Sequence, residues 1–219
     1  MTREEILEIE RRLSGRAPVL TPHEPRARAA VAMVIAPEDD GARLLLIKRA
    51  EHPHDPWSGH MAFPGGRHDP GDEHLLRTAL RETEEEVGLD LERHGRLVNR
   101  LDDLTAVAGG RNLDMVISPF LFLVDRAHPT RVDESEVAAA LWVPMRTFRE
   151  SEFHGSIRFE REGAKMDFPA FHVGDHRVWG LTYRMIRGFL DAIAAPQAGS
   201  TLDATSSPAS VPVADVARR

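Results

Sequence analysis

Four of the six residues from Arg81 to Glu86 are glutamate. Three of them, Glu82, Glu85 and Glu86, are spaced i, i+3, i+4, which on an α-helix lays three carboxylates along one stripe. Leu76, Ala79, Leu80, Thr83 and Val87 fall on another face, so the pattern predicts an amphipathic helix over 73–87, with Asp72 as its N-cap and Gly88 as its stop. Crowded like charges repel, and nothing about stability asks for them. A hard divalent cation does, because Mg2+ takes oxygen ligands and is held by carboxylates together with substrate phosphates. A solvated acidic face accounts for the run taken alone. It does not account for the preceding loop of 50–72, rich in His, Pro, Gly and Asp, or for Gly65-Gly66, where the backbone can approach a ligand closely.

The rest of the chain narrows the choice of ligand. A net charge of −7 over 219 residues makes non-specific nucleic-acid binding a poor expectation, since that rests on Lys and Arg neutralising phosphates. A small phosphorylated ligand remains compatible, because a metal neutralises its charge locally. There is no cysteine, which excludes disulfides, thiolate zinc sites and cysteine nucleophiles and suits a reducing compartment. No apolar run approaches the roughly 18 residues of a membrane span, and the start, Met1-Thr2-Arg3-Glu4-Glu5-Ile6, is acidic where a signal peptide is basic and then apolar. A cytoplasmic protein is expected, with a small nucleotide as its partner, no membrane, and a homodimer left open.

Around the acidic helix the periodicity gives an α/β (α+β) pattern. A short helix is predicted over 2–13, with a Thr2/Glu5 capping box and Ile6, Ile9 and Leu13 on one face. An extended connection spans 14–28, a buried strand 29–35, an Asp-Gly turn 37–41 and a return strand 43–48. Met61-Ala62-Phe63 is read as a short strand. Another strand lies within 95–104 and a strong one at 115–124, where Pro119 suggests a bulge or an edge. Residues 133–140 read as a helix, 141–144 as a strand end, 158–160 and 170–173 as a last strand pair, and 178–194 as a final helix with Leu181, Met185, Phe189 and Ile193 inward. The chain thus divides into 1–28, a domain of 29–194, and a tail of 195–219 too poor in large apolar groups to fold.

The stretch from Gly66 to Leu89 resembles the Nudix box, G-x5-E-x7-R-E-U-x-E-E-x-G-U with U apolar. Arg81-Glu82, Glu85-Glu86, Gly88 and Leu89 match, as does Glu73 counted back from Arg81. Thr83 stands at the first U, and Gly66 is one residue further from Glu73 than the plain box has it. With that extension, Phe63-Pro64-Gly65-Gly66, Asp69, Asp72 and Thr78-Ala79-Leu80-Arg81-Glu82 are similar to the coenzyme A pyrophosphatase subfamily. Residues 44–49, Gly59 and 178–182 resemble its flanking signatures. The segment 50–59 departs from that subfamily: Ala50 replaces Ser, the segment is one residue longer, and its Arg is missing.

The resemblance implies a Nudix fold, a mixed β-sheet sandwiched between helices. It implies hydrolysis of a pyrophosphate bond in a nucleoside diphosphate linked to another group, with Mg2+ or Mn2+ as cofactor. Coenzyme A or acyl-coenzyme A is the first substrate expected. ADP-ribose, nucleotide sugars and nucleoside triphosphates are alternatives, and a non-catalytic nucleotide-binding module is an alternative of another class. Expected metal ligands are Glu82, Glu85, Glu86 and the Gly66 carbonyl. Arg81 orients them, and the general base is a box glutamate such as Glu85 or an acid of a downstream loop, for which Glu136 is the candidate. Arg49, Trp57, Gly65 and Gly66 are expected at the substrate. Trp57 can stack on a base or anchor its loop, and His60, His68 and His74 are read as loop polarity.

Overall fold

The computed structural model describes residues 3–195 apart from 23, 54, 56, 109–110 and 162–163. Thr2 and the tail beyond residue 195 therefore lie outside the described residues.

Helix α1 (Arg3–Leu13) buries Ile6, Ile9 and Leu13, the face its spacing predicts. Strand β1 (Ala27–Ala36) is the centre of an eight-stranded sheet. Ala29, Val31, Met33 and Ile35 enter one apolar cluster and Ala30, Ala32, Val34 and Ala36 the other. Burial on both faces is why β1 reads as an unbroken apolar run rather than an alternation. Strand β2 (Arg43–Arg49) returns antiparallel with Ile35 opposite Leu44. Two short strands follow: β3 (Met61–Ala62) pairs with the end of β2, and β4 (Gly65–Arg67) lies along the first half of β1.

Helices α2 (Leu75–Val87) and α3 (Leu91–His94) lead into β5 (Arg96–Arg100), β6 (Leu104–Ala108) and β7 (Arg111–Leu123). Strand β7 runs parallel to β1, Ala27 opposite Met115 and Ile35 opposite Leu123. Strand β8 (Val137–Pro144) closes the sheet against β2. Short 3-10 turns at Met145–Phe148 and Ser151–Phe153 precede a separate three-stranded sheet of β9 (His154–Arg161), β10 (Ala164–Val173) and β11 (His176–Trp179). Helix α4 (Gly180–Ala194) ends the described chain. Helix α2 gives Ala79 and Val87 to one cluster, while α1 and α4 give Leu13, Met185 and Phe189 to the other. The mixed sheet thus lies between helices, as expected. No helix among the described residues is long and apolar enough to cross a membrane.

Four local readings are corrected. Residues 133–140 form no helix; 137–144 are strand β8, paired from Val143 opposite Leu44 to Ala139 opposite Lys48. Three consecutive alanines favour helix in isolation, but the unpaired edge of β2 takes the segment as its partner. The single strand expected within 95–104 is two strands, β5 and β6, broken at 101–103. Both pair with the same edge of β7. Pro119 lies in a central strand at that break. Its carbonyl accepts the Leu101 N–H at 2.8 Å, so its missing N–H faces the gap and costs no ladder bond. The inward face of α4 is Thr182, Met185, Ile186, Phe189 and Leu190, with Leu181 and Ile193 only partly buried.

The break at 101–103 also holds the N-terminal connection. Arg16 donates two hydrogen bonds to Asp102, at 2.8 and 2.7 Å. The backbone N–H groups of Val19 and Thr21 donate to Asp102 and Asp103. That strap seats α1 against α4 and the open face of the sheet.

Candidate active site

Helix α2 begins two residues later than its pattern suggested. His74, not Asp72, is the N-cap: its Nδ1 accepts the Arg77 N–H at 3.0 Å, while Gly88 closes the helix in the left-handed region at φ 67°. Asp72 is buried and has other work. Arg81 donates to both of its oxygens at 3.1 Å, and the Thr78 hydroxyl donates to Oδ2 at 2.9 Å. His68 Nδ1 lies 2.9 Å from that same hydroxyl. Since the Thr78 proton is spent on Asp72, His68 supplies the proton in its own bond to Thr78.

Arg81 also reaches Glu82 at 2.8 Å and Glu85 at 2.6 Å. It is therefore the pivot that sets the carboxylates of the helix. Sequence reading missed Asp72 in this role and assigned the box acid to Glu73, which is exposed. The signal was present: Asp72 stands at G-x5 from Gly66, so the extra residue follows the acid rather than preceding it.

Hydrogen bonding from Arg81 and then from Thr78 holds the Asp72 carboxyl at about 2, below its ordinary 3.8. A carboxyl lowered on folding stabilises above its unfolded value, and that contribution is lost as pH falls through the folded value. Asp72→Asn is thus expected to lower the urea midpoint near neutrality, and the gap from the parent should close as pH drops from about 4 towards 2. Turnover should fall roughly tenfold to a hundredfold, as when a partner of a metal ligand is removed. A gap constant across that pH range would dissociate Asp72 from Arg81.

The glutamates of α2 do not share one environment. Glu86 is only 2 % exposed. Burial pushes its carboxyl up to about 8, against the lowering effect of the Gly65 N–H that donates to it at 2.8 Å. Glu82 is half-buried and also raised, by burial first and the neighbouring carboxylates after it. Glu136 comes from the turn before β8, and acceptor oxygens of Glu82, Glu86 and Glu136 all lie within 4.8 Å of one another. Glu85 is outside this cluster, exposed and held by Arg81. The structure thus joins the expected Glu82 and Glu86 to Glu136, and sets Glu85 apart.

Two backbone features fix the cluster. The Asp133 and Arg131 N–H groups donate to the carbonyls of Glu86 and Val87, at 3.0 and 2.8 Å, which satisfies the end of α2 and ties the Glu136 turn to it. On the other side, Gly65 and Gly66 pass beneath the carboxylates. A Cβ on Gly66 would stand 2.4 Å from the Glu82 carboxylate, so glycine there leaves room for the acid.

A cavity of about 460 Å3 opens beside the cluster. Arg49 and Trp57, both expected at the substrate, line it, as do Gly65 and Gly66. Arg49 Nε and Nη2 both donate to Asp55 Oδ2, at 2.9 and 2.6 Å, while Oδ1 accepts the Trp57 N–H. Trp57 is partly buried against the core, so it anchors its loop and lines the cavity at once. His60 also lines it, its ring packed at 4.7 Å from that of Trp179 and tilted to it by 53°. Of the three histidines read as loop polarity, His74 caps α2 and His68 braces Thr78.

Residues 26–160 match the family model of the NUDIX domain. The chain belongs to the Nudix family. A Schizosaccharomyces pombe protein described as uncharacterized is 34% identical over 178 residues, covering 73% of this chain and 54% of that one. The uncharacterized Nudix hydrolase NudL of Yersinia pestis is 31% identical over 162 residues, 74% of this chain and 76% of its own length. The chain therefore spans about half the length of the yeast relative and three quarters of NudL. A MutT/nudix family protein of Enterococcus faecalis has the same fold, with a TM-score of 0.50 at 15% identity over 89% of this chain and 70% of that one.

Proposed function

We propose that this Nudix chain hydrolyses a pyrophosphate bond in a nucleoside diphosphate linked to another group. Coenzyme A or acyl-coenzyme A comes first, split into 3′,5′-ADP and the 4′-phosphopantetheine half. The observation that carries the reading is the cluster of Glu82, Glu86 and Glu136 at the mouth of the cavity. The choice of coenzyme A rests on the loop and helix residues 63–82 described above.

The cluster fits a hard divalent cation, Mg2+ or Mn2+. It offers only carboxylate oxygens, the set such ions take, and two of its acids are raised by burial, as expected of ligands awaiting positive charge. Glu82, Glu86 and Glu136 would hold the ion. When bound, it supplies positive charge against the phosphate oxygens and lowers the pKa of water. Arg81 orients Glu82 and, through Asp72, is itself held still. Arg49, clamped by Asp55, presents its remaining guanidinium edge to the polyanion. Glu136 is exposed on its turn and accepts the proton of the attacking water as phosphorus gains that oxygen and loses the bridging one.

The test is a product screen of the purified chain with Mg2+ over coenzyme A, ADP-ribose, nucleotide sugars and nucleoside triphosphates. 3′,5′-ADP and 4′-phosphopantetheine are the expected products. Their absence, with turnover of another compound, moves the substrate within the family; no turnover of any leaves a binding module. Glu85→Gln is expected to cost about tenfold or less in turnover, far less than the loss at Glu86, because Glu85 is exposed and outside the cluster. Equal losses at the two positions would show that a cation draws Glu85 away from Arg81.

A further inference from the structure

His60 and Arg49 line the cavity side by side. They are cross-strand partners: the Arg49 N–H donates to the His60 carbonyl at 3.0 Å, one step beyond the pairing of Lys48 with Met61. Opposed residues of an antiparallel pair send their side chains to the same face. There Asp55 Oδ2 accepts from two Arg49 nitrogens and fixes the guanidinium. Nothing comparable holds the partly buried imidazole. Among the described residues it packs against the Trp179 ring and has no hydrogen-bond partner at either nitrogen. Trp179 ends β11, which lies against β3 and beyond the residues that match the NUDIX domain model. The charged groups around His60 are Asp55, Arg49 and Glu51. Burial lowers its pKa before all else; Arg49 lowers it too, while Asp55 and Glu51 raise it. The ring is therefore neutral near neutrality, with one N–H to give. A half-buried N–H calls for an acceptor, and beside a guanidinium that acceptor is an anion.

We propose that His60 binds the substrate: with Arg49 it forms a two-donor clamp on the pyrophosphate, and Trp179 is the positioning residue that holds its ring. The clamp rests on the pyrophosphatase reading of the carboxylate cluster and adds to it a binding residue outside the Gly66–Leu89 stretch.

Binding is read directly, by calorimetry of the full chain with Mg2+ and the non-hydrolysable methylene-bridged analogue of ADP, so the result does not depend on which compound is turned over. His60→Phe keeps a ring against Trp179 and removes both nitrogens. It is expected to weaken binding of the analogue about tenfold. His60→Gln loses the ring but keeps an N–H donor at similar reach, and should stay within about threefold of the parent. Ring packing alone predicts the reverse order. For any compound the parent turns over, the Phe variant should raise KM more than it lowers kcat. If the Phe variant does not fold, His60→Leu takes its place with the same expected loss. Parent-like binding in a folded Phe or Leu variant, or a Gln variant as weak as either, would overturn the assignment and leave the pyrophosphatase reading standing. If the parent does not bind the analogue, the clamp falls, and the product screen decides the pyrophosphatase reading by itself.

Discussion

Glu86→Gln is expected to lower turnover by roughly a thousandfold and to leave the protein folded. Glu86 is the most buried member of the cluster, and the Gly65 N–H fixes its direction. Glutamine keeps the shape and the acceptor oxygen but removes the charge that a cation needs. The effect on stability runs the other way. With its carboxyl at about 8 in the fold against an ordinary 4.5, Glu86 keeps its proton in the folded chain over a range where the unfolded chain has lost it. The folded state binds more protons there, so stability of the metal-free protein falls as pH rises from about 4.5 towards 8. The loss should amount to several kcal/mol. Glutamine cannot ionise, so in chelator the variant should melt at or above the parent near pH 8. Mg2+ should raise the melting temperature of the parent and barely move that of the variant. A parent whose melting temperature is flat with pH in chelator would mean that Glu86 is already ionised and the cluster already compensated.

The second large effect belongs to the double glycine, whose two members should fail in different ways. Gly65 has φ 144°, and a Cβ there would lie 2.3 Å from the Ala30 carbonyl oxygen and 2.5 Å from Val31 Cα. Both are backbone atoms of β1, buried at the centre of the sheet, with no room to yield. Gly65→Ala is expected to destabilise by on the order of 3 kcal/mol or to unpair β4. At Gly66 the added methyl meets the end of the Glu82 side chain instead. Gly66→Ala should therefore keep most of the stability and lose turnover by displacing a ligand. Urea midpoints and kcat measured side by side separate the two. Equal midpoints for both variants would show that β4 can shift away from β1 at little cost.

These effects follow from residues whose placement was unequally legible in the sequence. The hairpin of β1 and β2, helix α2 and its Gly88 stop were plain, because apolar periodicity and a left-handed cap are local signals. Strand β4 was not, since two glycines carry no strand propensity and are held by pairing with Ala30 and Val31. Strand β8 was hidden by its alanines. The site showed the same division. Glu82 and Glu86 were visible from helical spacing, and the burial that sets Glu86 apart from Glu85 was not, because it depends on β4 packing over one side of the stripe. Glu136 stood among candidate acids, but its meeting with Glu82 and Glu86 depends on the turn before β8. Asp72 was misread as a cap because a buried Arg81 partner and an N-cap draw on the same residue type at nearly the same position.

The backbone bonds from Asp133 and Arg131 to the end of α2 have one more consequence. All three acids of the cluster ride on a helix end and a turn stitched to it, so their mutual spacing does not depend on the chain between Leu89 and Thr130. The joint from α3 to β5 carries none of these acids, whereas that from β5 to β6 carries Asp102 and Asp103, which hold the N-terminal strap. The carboxylate site is thus a cassette carried by two short segments that lie far apart in the sequence.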